Sequence, residues 1–122
     1  MTVGRAMLAI CAAGLLAIPA QAQQDGQTAF NNLCRNCHTT KEGDNRLGPS
    51  LFGVVGREAG TLEGYRFSPS MSGSGITWDE ANLDAFIANP EGVVRGNAMK
   101  PYGGVNEPEI RKTIITFLGE QK

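Results

Sequence analysis

The stretch CRNCHTT, residues 34–40, decides the reading: two cysteines separated by two residues, with a histidine directly after the second. A bare Cys-x-x-Cys serves a disulfide, a thiol redox pair or half of a zinc site. Structural zinc takes about four nitrogen or sulfur ligands. Apart from Cys11 near the amino terminus, the chain offers only Cys34, Cys37 and His38, all adjacent. A thioredoxin-like dithiol belongs between the strand and helix of an α/β pattern, which is not legible here, and it leaves His38 incidental. A plain disulfide leaves the histidine equally idle. Covalent haem uses every member of the motif: the thiols add across the two vinyl groups, the two-residue spacer sets them on one helical turn, and the next imidazole meets the iron. Cys34 and Cys37 are therefore read as the attachment points of one haem c and His38 as an iron ligand.

Before this motif the chain opens MTVGRAMLAICAAGLLAIPAQAQ, with one charge at Arg5, a small and apolar run from Ala6 to Ala20, and Ala20-Gln21-Ala22 ahead of Gln23. That pattern predicts a secretory signal peptide over residues 1–22, a mature domain over residues 23–122, and a periplasmic location. The run falls short of the roughly 20 residues that span a bilayer. A mature chain of about 100 residues makes one small domain. With a formal charge of −1 over 122 residues it is not basic enough to bind nucleic acid.

Ala29, Phe30, Leu33, Cys34 and Cys37 fall at helical spacing, which puts the motif at the inward face of a short helix. From Thr39 to about Ser74 glycine, proline and serine dominate with little periodicity. So long a stretch exceeds the roughly 12 to 15 residues of an ordinary loop and demands a function. Order returns at ITWDEANLDAFIANP, residues 76–90, where Thr77 and Glu80 make a capping-box pattern, Leu83, Phe86 and Ile87 share one face, and Asn89-Pro90 stop the helix. A last helix is predicted from Asn106 as cap, with Pro108 in its first turn, Ile110, Thr113, Ile114, Phe117 and Leu118 on one face, and Gly119 at its close. The expectation is an all-α domain of three or more modest helices joined by long loops, with so few side chains for an interior that a cofactor must supply part of the core.

His38 is the only histidine, so the far side of the iron falls to methionine, lysine, water or nothing. Beyond the leader the methionines are Met71 and Met99. A lone methionine is ordinarily core filler, but Met99 lies in GNAMKPYGG, a glycine-flanked loop nearly free of other apolar residues, and is favoured as the second ligand. Histidine and thioether together fill both axial positions and raise the reduction potential. Such a site suits an electron carrier, not an enzyme.

These residues resemble the class I cytochromes c, of the mitochondrial and bacterial c2 type, from Gly26 to about Leu118. The resemblance implies a small cytochrome c fold, a respiratory or related electron-transport role, a soluble monomer, and transient partners such as a membrane reductase and oxidase or a dehydrogenase. It implies that Gly26 and Phe30 cross Ile114 and Phe117 of the last helix. GPSLFGVVGR, residues 48–57, is similar to the loop whose proline carbonyl orients the proximal imidazole, which falls on Pro49. Arg57 and Trp78 match the residues that hold the buried propionate, and NPEGVVRGNAM, residues 89–99, matches the segment that carries the sixth ligand, here Met99.

The departures are specific. Phe67 and Phe86 stand where the family usually has tyrosine, so two hydroxyls are lost. Met71 replaces an asparagine near the distal face and becomes a rival to Met99. Arg95 replaces a proline, and Asn97 replaces a threonine while keeping a donor for a propionate or a water. Glu91 and Gly92 replace two lysines at the haem edge. Arg35, Lys41, Arg46, Arg95 and Lys100 leave only a thinned positive rim, which implies weaker charge steering of partners than in a basic family member. Two other functions share the same motif: a peroxidase or gas sensor with a labile distal ligand, and a dedicated electron-transfer subunit of a periplasmic dehydrogenase.

Overall fold

The computed structural model describes residues 20–122, together with Gly4 and Gly14; the rest of the predicted signal peptide lies outside the described residues. Among the described residues five helices follow one another: α1 (Ala20–Leu33), α2 (Pro69–Ser72), α3 (Glu80–Ala88), α4 (Pro90–Val93) and α5 (Pro108–Gly119). Among the described residues, pairing of the β type is limited to one antiparallel bridge, Glu58 to Thr77. No helix among them is long and apolar enough to cross a membrane.

The three longer helices fall where periodicity placed them, and their caps differ. Asp79, not Thr77, caps α3: its carboxylate accepts the Asn82 N–H at 2.8 Å, and Asn82 Oδ1 accepts the Asp79 N–H at 2.8 Å. Thr77 is unavailable because its backbone is paired in the bridge and its carbonyl accepts from Asn82 Nδ2 at 2.8 Å. The cap of α5 is Glu107, without a side-chain bond, so Pro108 opens that helix where the fixed φ of proline is already helical. Gly119 is the last helical residue of α5. Asn89 ends α3 and caps α4, its Oδ1 accepting the Gly92 N–H at 3.3 Å.

Helix α1 packs on α5, and α5 in turn packs on α3, which also carries α4 beside it. The crossing of α1 and α5 is close because Gly26 has no side chain: a Cβ there would stand 2.7 Å from the Thr113 carbonyl oxygen and 2.8 Å from Phe117 Cβ. One turn further, Phe30 meets Phe117 with ring centroids 5.5 Å apart. Arg111 ties α5 to α3 through Asp84 at 2.7 Å and to the preceding loop through the Val105 carbonyl at 2.8 Å.

The long central segment holds no helix but α2, and it is ordered by its own polar groups. Ser50, 2% exposed, donates to the Lys41 carbonyl at 2.6 Å, and its N–H reaches Asn45 Oδ1 at 2.8 Å. Leu51 N–H pairs with the Thr39 carbonyl at 2.8 Å and Ala59 N–H with that of Ile76 at 2.7 Å. These bonds replace the ladder that regular structure would supply, and they close the loops around one interior space.

Replacing a helical glycine ordinarily gains up to about 1 kcal/mol in helix propensity. At Gly26 the clash outweighs that gain, and Gly26→Val is expected to lower stability by about 1–3 kcal/mol, measured as a fall in Tm of roughly 4–8 °C per kcal/mol. An unchanged Tm would show that the two helices have room to spare.

Candidate cofactor site

The end of α1 continues as a hydrogen-bonded turn: Cys34 N–H bonds the Phe30 carbonyl at 2.8 Å, and His38 N–H bonds that of Cys34 at 3.0 Å. One helical turn thus carries Cys34, Cys37 and His38 together. The chain then doubles back, and Gly48 N–H pairs with the Cys37 carbonyl at 2.7 Å. A side chain at Gly48 would collide with the imidazole of His38, so only glycine lets this strand of loop pass against the ring. The next residue receives the ring: His38 Nδ1 donates to the Pro49 carbonyl at 2.8 Å.

His38 is 7% exposed. Burial lowers its pKa first, the Pro49 carbonyl opposes that shift, and the nearby Arg57 charge adds to it. The ring is therefore neutral, with its proton on Nδ1 and its lone pair on Nε2, the form in which imidazole binds a metal.

His38 lines a cavity of about 370 Å³ whose walls also include Cys34, Cys37, Pro49, Arg57, Met71, Trp78 and Met99. Most of its surface is apolar, supplied by core residues including Val54, Leu83, Phe86, Ile87, Ile114 and Leu118. A large apolar space with two thiols, an imidazole, two thioethers and the cations Arg57 and Lys100 fits covalent haem. It does not fit a redox dithiol, which needs a depressed thiol pKa: burial and the neighbouring Cys37 push Cys34 up to about 11. Nor does it fit zinc, since among the described residues no three His, Cys, Asp or Glu side chains converge as ligands. A larger cleft of about 710 Å³ runs over Asn31, Arg35, Lys41 and Arg46 and reaches only His38 of the predicted set.

Arg57 and Trp78 are held across the antiparallel bridge, Trp78 N–H bonding the Arg57 carbonyl at 2.9 Å. The guanidinium donates to the carbonyls of Phe52 at 3.2 Å and Ser50 at 3.0 Å. It is half-buried, burial lowers its pKa, and among the described residues it has no carboxylate partner. A cation so placed calls for a negative group in the cavity.

Asn97 stands apart from the predicted set. It is 3% exposed and does not line the cavity, because its Nδ2 donates to Glu91 at 3.1 Å and to the Val94 carbonyl at 2.9 Å. Its oxygen accepts the Met99 N–H at 2.9 Å. Asn97 therefore braces the Met99 loop and has no donor left for the cavity. Both methionines do line the space, so the geometry leaves the rivalry of Met71 with Met99 to chemistry.

The motif reading missed Gly48 and two tyrosines. Tyr65 lines the cavity and donates to the Leu47 carbonyl at 2.8 Å; Tyr102 lines it and donates to the Ile87 carbonyl at 2.7 Å. Tyr102 was detectable as the one aromatic in MKPYGG, three residues after Met99. The contact of Gly48 with His38 has no signature short of the fold.

Comparison with known proteins agrees with this geometry. The family model described as cytochrome c oxidase, cbb3-type, subunit III, matches residues 21–118. The chain is 44% identical over 94 residues to cytochrome c2 iso-2 of Magnetospirillum fulvum, covering 77% of this chain and 96% of the relative. It is 36% identical over 97 residues to cytochrome c of Arabidopsis thaliana, covering 79% of this chain and 86% of the relative. Among solved structures, cytochrome cH from Methylobacterium extorquens superposes with a TM-score of 0.72 at 38% identity, covering 80% of this chain and 96% of that one.

Burial pushes the Tyr102 phenol from 10.0 up to about 12. Across that window the folded chain keeps a proton that the unfolded chain has lost, so this group's stabilising contribution declines as pH rises through it. Tyr102→Phe is expected to cost about 1 kcal/mol at neutral pH through the lost hydrogen bond and to flatten the alkaline decline. Denaturant melts at neutral and alkaline pH measure both; an unchanged alkaline slope in the variant would refute the assignment.

Proposed function

The chain belongs to the class I c-type cytochromes and is a monohaem electron carrier with haem c bound through Cys34 and Cys37, and from that premise we propose that it shuttles single electrons in the periplasm with His38 and Met99 as its axial ligands. Its partners are a membrane reductase and oxidase, or a dehydrogenase, met transiently. The observation that carries this reading is that one cavity is lined by a neutral, fixed imidazole and by a thioether on a braced loop. Bound there, the haem supplies a one-electron centre whose potential histidine and thioether ligation raises.

The chain's own residues do the rest. The Pro49 carbonyl holds His38 at one orientation, and Asn97 holds the Met99 backbone, so neither donor has to move between redox states. Phe67, Trp78 and Phe86 wall the cavity and exclude water from it. Arg57 and the indole N–H of Trp78, which has no acceptor among the described residues, are the donors for a buried carboxylate.

At the mouth of the cavity Leu33 is 44% exposed and Leu47 is 80% exposed. Two of the rim cations are answered within the chain, Arg46 by Asp44 at 2.8 Å and Lys100 by Glu91 at 3.1 Å. This supports association by short-range apolar contact with modest electrostatic steering. The signal peptide expected over residues 1–22 supports a periplasmic location.

The test is the spectrum of the oxidised, haem-loaded protein beside Met99→Ala and Met71→Ala. The reading predicts a sulfur-to-iron charge-transfer band in the parent that survives Met71→Ala and disappears in Met99→Ala. A band lost only in Met71→Ala would move the distal ligand to α2.

A further inference from the structure

Glu91 stands where the resemblance leads one to look for a lysine, and the structure gives its carboxylate three partners. Oε2 accepts the Gly96 N–H at 3.1 Å; Oε1 accepts from Asn97 Nδ2 at 3.1 Å and lies 3.1 Å from Lys100 Nζ. Its own backbone is fixed in the single turn of α4, behind the Asn89 cap. The carboxylate thus closes the loop that runs from α4 to Met99.

Asn97 passes the constraint on. With both amide hydrogens given to Glu91 and Val94 and its oxygen given to the Met99 N–H, the side chain has one satisfied orientation. Turning the amide over would set its oxygen against the Glu91 carboxylate and its NH₂ against the Met99 N–H. Glu91 therefore selects the orientation that holds the Met99 backbone, two hydrogen bonds away.

The three arms are unequal. The Lys100 pair is exposed, 61% and 46% at its two side chains, and contributes little. The bonds to Gly96 and Asn97 are charge-assisted, and Asn97 is buried. Gly96 adopts φ 81°, a left-handed turn, and the carboxylate takes the N–H that this turn presents.

We propose that Glu91 is a positioning residue for the distal ligand, holding the Met99 loop closed through Gly96 and Asn97. The inference rests on the reading of Met99 as that ligand. Removing the carboxylate frees Asn97 to turn over and leaves the Gly96 N–H without its acceptor, so the loop opens more often and the sixth position becomes easier to reach.

The experiment is imidazole binding to the oxidised, haem-loaded full chain at fixed pH and ionic strength, with the sulfur-to-iron band and Tm recorded on the same samples. Glu91→Lys is expected to bind imidazole about tenfold more tightly than the parent, since one charge-assisted bond has the value of about a decade in an equilibrium. Glu91→Gln, which keeps one acceptor, is expected to fall between, and it serves where Glu91→Lys fails to load haem. Lys100→Ala is expected to change affinity less than about twofold. Parent-like imidazole affinity in both Glu91 variants, even with a lowered Tm, overturns the positioning role while leaving Met99 as ligand. A band that survives Met99→Ala overturns the ligand reading and this inference with it.

Discussion

The hydrogen bond from His38 Nδ1 to the Pro49 carbonyl, 2.8 Å long, is the contact on which the rest of the structure depends. It fixes which nitrogen carries the proton and therefore which one carries the lone pair. It also ties the end of α1 to a loop that has no regular structure of its own. Glycine at position 48 lets the loop reach the ring, and buried Ser50, one residue past Pro49, anchors the same loop to Lys41 and Asn45. The guanidinium of Arg57 is in turn aimed by the carbonyls of Ser50 and Phe52. One short segment thus orients both the imidazole of His38 and the guanidinium of Arg57 at the wall of the cavity.

From that anchor the interior follows. About half of the buried core, including Trp78, Leu83, Phe86 and Ile114, also lines the cavity, so core and site share many of their side chains. This is why a domain with three substantial helices and long glycine-rich loops can be ordered: the loops, bonded to one another, close around a space of the size and character that a haem would fill. The crossing of α1 and α5 at Gly26 and Phe30 sets the turn of the haem motif against this space, and α3 supplies Leu83, Phe86 and Ile87 to it.

Much of this was legible in the residues because chemistry and period both leave marks in sequence. Cys34, Cys37 and His38 declared themselves by spacing, and the faces of α3 and α5 by recurrence at three and four residues. Helix caps were less legible, since Thr77 was claimed by a bridge to Glu58 that lies 19 positions away in sequence. Asn97 was read as a donor to the cofactor because its type and its place beside Met99 allow it, but its hydrogen atoms were already taken by Glu91 and Val94. Glu91 registered as a missing lysine, and only the folded loop shows the three partners that its carboxylate gathers.

The central claim is that this chain fills both axial positions from its own side chains and so transfers electrons without binding a substrate at the metal. Carbon monoxide added to the reduced, haem-loaded protein near neutral pH tests it most directly. The account predicts a spectrum that stays that of the six-coordinate protein at carbon monoxide concentrations that saturate an open haem. Prompt and complete formation of a carbon monoxide complex would contradict it and would make a haem with a vacant or easily displaced sixth ligand the better description.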